Sequence, residues 1–208
     1  MKEITKFIKE GGLKITSKTK VNKDNYHPKT KEELQDLLKQ LIEERGNEGD
    51  FNDIDTSKIT DMSDLFDNID NRDVFNGDIS NWDVSNVVDM NSMFYLCKSF
   101  NQPLNNWDVS NVTDMNAMFY MGVSFNQPLA NWNVSNVTDM FGMFYGCTAF
   151  NRPLTNWNVS KVTNMSGMFY RCDSFNQDIS NWSISNVKNN RKIFHNCPIE
   201  EKHKPKFK

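Results

Sequence analysis

The sequence lacks several features that mark common classes of protein. No apolar run approaches the roughly 20 residues of a membrane-spanning helix, and the amino-terminal stretch has no apolar segment of the secretory type. The net charge of -3 gives no reason to expect nucleic acid or an anionic membrane as a partner. We therefore expect no membrane insertion, no nucleic-acid binding and, from these residues alone, a cytoplasmic chain.

The usual signatures of catalysis and metal binding are also missing. The three histidines (His27, His195 and His203) are scattered, and no nucleophile and base recur together. There is no phosphate-binding loop and no zinc-ligand spacing. We therefore predict that the chain is not an enzyme and has no catalytic residues, no metal and no cofactor.

Glutamate is absent from residues 76–197, whereas the charged helix-forming residues cluster before residue 50. This shift in composition divides the chain. We predict a cap region over residues 1–50, a repeat region over residues 51–197, and a basic, frayed tail over residues 198–208.

Tryptophan recurs at a fixed interval of 25 residues. A constant period of this length is typical of a stack of similar units. Before the first tryptophan, Ile54 takes the equivalent position in a divergent unit that has a three-residue insertion before Phe75. The repeat region therefore contains six units. The tryptophans are Trp82, Trp107, Trp132, Trp157 and Trp182.

Each unit carries a helix-like pattern followed by an extended stretch. In the clearest copy, Met115, Met118 and Phe119 fall at helical spacing, which predicts the inward face of a helix of about two turns. The stretch after Pro128 predicts a short strand, because proline cannot donate to a ladder. One short strand and one short helix per unit predict an α/β solenoid with a leucine-rich-repeat layout.

A longer helix is predicted ahead of the repeats. Thr30 and Glu33 form a capping-box pattern, an apolar stripe from Leu34 to Ile42 follows, and Gly46 ends the pattern. We expect this helix, at about residues 31–45, to cover the open first unit. Residues 4–8 predict a short helix, and residues 13–21 an extended stretch.

The repeat resembles that of BspA-like bacterial surface proteins. The stretch from Asn106 to Tyr120 reads Asn-Trp-Asp-Val-Ser-Asn-Val-Thr-Asp-Met-Asn-Ala-Met-Phe-Tyr, and Ser124 to Leu129 reads Ser-Phe-Asn-Gln-Pro-Leu. The resemblance implies a leucine-rich-repeat-like solenoid, a cell-surface or secreted location, and adhesion to a protein or glycan ligand. It supplies no catalytic residues.

A row of tyrosines is the first candidate binding surface. Each follows an inward phenylalanine by one residue, so a helical wheel turns it outward. The row then forms a ridge of the kind enriched at interfaces. The alternative is stacking between neighbouring units with the hydroxyls in water. The tyrosines are Tyr95, Tyr120, Tyr145 and Tyr170, and His195 stands at the equivalent place in the last unit.

A second candidate surface lies beside the predicted strand, at Asp83, Asp108, Asn133 and Asn158, where Ser183 completes the column. It either contacts ligand or is an ordinary solvated surface. A binding module is our leading hypothesis, and a spacer or self-assembling array is its rival. We expect a monomer.

Three further columns favour structural roles. The column Asp89, Asp114, Asp139, Asn164 and Asn189 predicts helix N-caps, with calcium binding as the alternative. The asparagines at each Trp-minus-one position, and those that begin with Asn76, predict ladders between units. Cys97, Cys147, Cys172 and Cys197 share one position and predict a buried column of reduced thiols.

Overall fold

The computed structural model describes residues 25–207. Its helices are α1 (Lys31–Arg45) and two short 3-10 helices, η1 (Arg72–Val74) and η2 (Glu201–His203). Within these residues the strand contacts are single parallel bridges, not continuous strands. The helix and the extended stretch predicted before residue 22 lie outside the described residues.

The repeat units stack as successive coils. At one position in every coil, a single residue bridges in parallel to its equivalent in the next coil. The bridged residues are 25 apart, except for the first pair, Asp61 and Asp89, which the three-residue insertion separates further. The column consists of Asp61, Asp89, Asp114, Asp139, Asn164 and Asn189.

The short helix expected in each coil is replaced by a series of tight turns. Ser92 (φ 54°) and Leu96 (φ 62°) adopt the left-handed conformation, which an α-helix does not accommodate. The Met93 N–H bonds back to the Met90 carbonyl within the coil at 3.2 Å, whereas the Phe94 N–H donates to Met118 in the next coil at 2.9 Å. The turns place the same residues inward as the predicted helix, so spacing alone could not separate them.

The expected strand is also absent from its predicted place. The stretch after Pro128 carries no bridge. Most bridges fall on the Asp89 column, and two others, Tyr26 with Ile54 and Asp50 with Asp78, lie at the first coils. The coils are joined near Pro128 by asparagine side chains: the Asn101 Oδ1 accepts from the Asn126 N–H at 2.9 Å. The structure therefore shows stacked coils without the strand and helix per unit, and the relation to leucine-rich repeats stays a prediction.

The core is a set of apolar columns that run along the stack. Phe94 and Phe119 stack at 5.4 Å between ring centroids, and Phe100 and Phe125 at 6.2 Å. The tryptophans form a further column, in which each indole N–H donates to a carbonyl of the preceding coil, as Trp132 does to Leu104 at 2.9 Å. Each indole ring is therefore buried while its N–H keeps a hydrogen-bond acceptor.

Helix α1 covers the first coil. The Thr30 hydroxyl accepts from the Glu33 N–H at 3.2 Å, and Glu33 reaches back to the Lys29 N–H at 2.6 Å. Gly46 ends the helix at φ 79°. Leu34, Leu38 and Leu41 are fully buried in the same core as the coils. The helix predicted from the capping box is present.

The same helix supplies donors to the exposed carbonyl edge of the first coil. In the interior of the stack, carbonyls of each coil accept N–H groups from the coil before it. The turns after Asp61 in the first coil have no coil before them, and the Gln35 amide donates to the carbonyls of Asp64 and Leu65 at 3.1 and 3.3 Å. Arg72 donates to the Asp67 carbonyl at 2.6 Å.

The tail after the last coil folds back on the stack, so the prediction of a frayed tail is wrong for the described residues up to Phe207. Ile199 and Pro205 are buried. The Ile179 N–H donates to the His203 carbonyl at 3.0 Å, and the Glu200 N–H donates to the Asn176 Oδ1 at 2.9 Å. The tail thus continues the asparagine ladder for one more step.

Candidate functional site

The tyrosine row runs along one side of the stack as a continuous series of stacked rings. Each tyrosine closes a tight turn, as in Tyr95, whose N–H donates to the Ser92 carbonyl at 3.0 Å. The ring centroids are 5.0 Å apart for Tyr95 and Tyr120, 4.4 Å for Tyr120 and Tyr145, and 4.5 Å for Tyr145 and Tyr170. The rings are half-buried, because each covers a face of its neighbour.

An arginine lies at one end of the tyrosine row, and a histidine lies at the other end. The Arg72 guanidinium lies 6.0 Å from the Tyr95 ring centroid, and the His195 ring stacks on Tyr170 at 4.9 Å. Burial and the neighbouring tyrosines raise the pKa of the Tyr120 hydroxyl. The row therefore presents neutral phenol edges, which donate and accept hydrogen bonds, between two polar ends.

The two interpretations of the tyrosines from sequence are thus both partly realised. The rings stack between coils, as the alternative proposed, and they remain partly accessible, as a binding ridge requires. The outward direction of the tyrosines was inferred from a helical wheel. No helix forms at these positions, so that inference stays untested. The stacking means that the row stabilises the coils as well as offering a surface.

The positions beside the row differ from coil to coil. Gly142 and Gly167 have positive φ, and a Cβ at Gly142 would lie 3.5 Å from the Tyr120 ring. Phe141, which precedes Gly142, is 44% exposed. The Met121 side chain lies against Gly146, where a Cβ would collide with its sulfur. The tyrosine row is therefore flanked by a surface that changes shape along the stack.

The second candidate surface is exposed, but its side chains already accept hydrogen bonds within their own coil. It consists of Asp83, Asp108, Asn133 and Asn158. The Asp108 carboxylate accepts from the Ser110 N–H at 3.0 Å, and the hydrogen bonds from Ser110 lower the pKa of that carboxyl. Asn133 accepts from Ser135 in the same way at 3.2 Å. These residues form Asx turns, so one side-chain oxygen of each already accepts a hydrogen bond within the coil.

The Asp89 column does not cap helices, and that prediction is wrong because no helix follows it. The Asp114 Oδ1 accepts from the Asn116 N–H at 2.8 Å in an Asx turn beside the bridge. Burial and the carboxylates of Asp139 and Asp89 raise the pKa of Asp114. Across residues 25–207, no group of three or more histidine, cysteine or acidic side chains has the geometry to hold a metal ion.

The cysteines form the predicted column of unpaired thiols. Cys97, Cys147 and Cys172 are buried, and Cys197 is half-buried. The Cys147 thiol donates to the Phe119 carbonyl in the preceding coil at 3.0 Å. Burial raises the pKa of Cys97 to about 12. These thiols are therefore packing residues and poor nucleophiles.

Sequence reasoning missed one asparagine column that joins the coils. The side-chain amides of Asn86, Asn111, Asn136 and Asn186 each donate to a serine carbonyl of the preceding coil, as Asn111 does to Ser85 at 2.7 Å. The signal was present, because the motif Ser-Asn-Val recurs in these units. Of the two predicted ladders, the one that begins at Asn76 is confirmed. In the Trp-minus-one column, Asn181 donates to Thr155 at 3.0 Å.

Comparison with known proteins places the chain in a family but gives no function. No helix within residues 25–207 is long and apolar enough to cross a membrane. No curated protein and no solved structure matches the chain. One family model matches residues 34–148 and 127–203, which together cover both α1 and the coils. The chain therefore belongs to the family described as Mycoplasma protein of unknown function, DUF285.

Proposed function

We propose that this chain is a non-catalytic recognition module of the bacterial cell-surface type, related to BspA-like proteins, which binds a protein or glycan along the tyrosine row. One observation carries the proposal. The row is uniform, half-exposed and continuous over four coils, while the residues on both sides of it change. A uniform aromatic rail with variable flanks suits recognition, because loops and faces of repeat arrays vary while their core does not.

The variation beside the row favours a binding surface over a spacer. The core position of Met90 is methionine in five successive coils, and the position of Phe94 is phenylalanine in all six. A spacer needs only these columns. The position of Leu96, next to the row, instead reads Leu, Met, Gly, Arg and Asn. The position of Asn91, two residues before the core methionine of Met93, reads Asn, Asn, Phe, Ser and Arg.

The chemistry of the row favours a ligand that offers both apolar and hydrogen-bonding groups. Tyrosine gives contact area at low entropic cost and keeps a hydroxyl to bond. The first half of the row lies beside Leu96 and Met121, and the second half beside Arg171. A protein segment or an oligosaccharide satisfies both halves. The surface or secreted location follows from the resemblance and belongs to the same proposal.

A screen of the purified chain against glycan and protein arrays tests the proposal, followed by variants of the row. Tyr120→Ala with Tyr145→Ala removes rings and hydroxyls, and we expect binding to weaken by about 2 kcal/mol or more if these are hot spots. Tyr120→Phe with Tyr145→Phe keeps the stack and removes only the hydroxyls. It separates lost recognition from lost stability.

The second surface provides the matched control. Asp108→Ser with Asn133→Ser copies the serine that the chain itself has at position 183. If this control weakens binding and the tyrosine variants do not, the binding surface lies on the Asp83 side. Binding that no variant on either side changes would refute recognition through the repeat surface.

A further inference from the structure

The last coil presents backbone donors that no described residue accepts. In the interior coils, the N–H groups at alternate turn positions donate to the next coil, as Gly167 does to Arg191 at 3.0 Å and Phe169 to Ile193 at 2.9 Å. The equivalent N–H groups of the last coil belong to Asn190, Lys192, Phe194 and Asn196. None of these has a backbone or side-chain acceptor among residues 25–207. By the register of the stack they point toward the place of a seventh coil.

The surroundings of this edge are basic. Residues 188–207 contain six lysines and arginines but only two acidic residues, Glu200 and Glu201. Lys202 and Lys204 pair with those two glutamates. Lys188, Arg191, Lys192 and Lys206 are exposed and form no salt bridge with a described residue. A groove of about 710 Å³ lies between this coil and the tail, lined in part by Phe194, Pro205 and Phe207.

The opposite end of the stack has the complementary character. Residues 25–75 contain 14 acidic and six basic side chains. On α1, the face opposite the buried leucines is acidic with one lysine, Lys39. It carries Glu32, Asp36 and Glu43, with Glu33 and Glu44 at its margins, and all five acidic residues are exposed. None of the five forms a salt bridge with another described residue. Ionised carboxylates only accept hydrogen bonds, so this face offers the acceptors that the last coil lacks.

We propose that copies of this chain associate head to tail, with the acidic outer face of α1 in one copy against the basic, donor-rich last coil of the next. The occupant is a second copy because both complementary surfaces belong to this chain and lie at opposite ends of one stack. Such a contact joins different surfaces and does not close on itself, so it produces linear oligomers. This inference goes beyond the proposed ligand recognition and replaces the expectation of a monomer.

Charge swaps in the full chain test the contact. In the first variant, Arg191→Glu and Lys192→Glu make both ends acidic. In the second, Asp36→Lys and Glu43→Lys make both ends basic. Sedimentation velocity of the natural chain at about 0.05 M salt should show species larger than a monomer that disappear at about 0.5 M salt, since screening weakens contacts between exposed charges. Each variant alone should be monomeric.

The decisive sample is an equimolar mixture of the two variants. Each junction then pairs an acidic with a basic end again, and the larger species should return. Arg152→Glu with Lys161→Glu, on the side of the stack, is the matched control and should leave the association unchanged. A natural chain that stays monomeric at low salt overturns the proposal. So does a mixture that fails to associate, or association that stops at a dimer and survives in the variants.

Discussion

Along the turns that follow the bridging column, the two ends of the stack present opposite halves of the peptide group, and they are covered to different depths. The first coil ends in carbonyls, over which α1 packs three fully buried leucines and the Gln35 amide. The last coil ends in N–H groups, beside which a short tail places Phe207 and Pro205. A carbonyl edge is easily covered by side chains of one helix, because glutamine, lysine and arginine all donate. An N–H edge needs acceptors, and the lysine-rich tail has few.

The difference also decides where the stack should unfold first. In a repeat array each coil contacts only its neighbours, so an end coil depends on its cap. The first coil shares a core with α1. In the last coil Asn190 stands in the place of the buried Met165 and Lys192 in the place of the buried Gly167, and both are exposed. We therefore expect unfolding to begin at the last coil.

Truncation of a buried side chain should destabilise the first end of the stack more than the last. Leu38→Ala opens a cavity between α1 and the first coil, and it should lower the free energy of unfolding by about 2 to 5 kcal/mol. Phe207→Ala removes a half-buried ring from the tail, and it should cost about 1 kcal/mol. Equilibrium denaturation in guanidinium measures both. Equal losses at the two ends would show that the tail is as strong a cap as α1.

The next largest loss of stability is expected when the carbonyl edge of the first coil loses a side-chain donor. Gln35→Ala leaves the Leu65 carbonyl without its side-chain donor in a buried place, which should cost about 1 to 3 kcal/mol. Gln40→Ala is the control on the same helix, since Gln40 is exposed and, among residues 25–207, its side chain bonds only to Glu44. Thermal unfolding compares the two, and hydrogen exchange should rise in the first coil for Gln35→Ala alone. If the two variants behave alike, the Gln35 contacts contribute nothing to the cap.

The sequence predicted the features of this molecule that depend on one residue type in one register. The period of the tryptophans, the capping of α1 at Thr30, the buried cysteines and the ladder from Asn76 follow from local chemistry. The structure has tight turns where a helix was expected in each coil, because two positions per coil, such as Ser92 and Leu96, adopt positive φ. Serine and leucine give no warning of this, whereas Gly142 and Gly167 at the position of Ser92 did carry a signal.

The candidate site was predictable only in part, for the same reason. The register of the tyrosines follows from the repeat, but their stacking depends on the separation of the coils, which the turns set. The donor edge at the last coil depends on which N–H groups cross between coils. That alternation is a property of the turns and does not depend on the type of side chain. The charged residues around Lys192 were therefore the only indication in the sequence of where the stack ends.

The smallest expected effect follows the bridging column from one end to the other. At the first end, Lys31 donates to the Asp61 carboxylate at 2.9 Å, and toward the far end the Asn164 amide donates to Asp139 at 3.1 Å. Asp114, in the middle, has carboxylates on both sides, and its pKa is raised by burial and by those charges.

A carboxyl whose pKa is raised on folding favours the folded state below its unfolded pKa, near pH 4, and loses that contribution as the pH rises through the folded value. Asp114→Asn, which copies Asn164, should therefore stabilise the chain at pH 7 by roughly 0.2 to 1 kcal/mol, and the gain should vanish below about pH 3. Asp108→Asn is the control, because the pKa of Asp108 is lowered and its ionised form is the one that folding favours. Melting temperatures of both variants from pH 3 to pH 7 measure the difference, and a gain for Asp114→Asn that is the same at every pH would show that like-charge repulsion is not its cause.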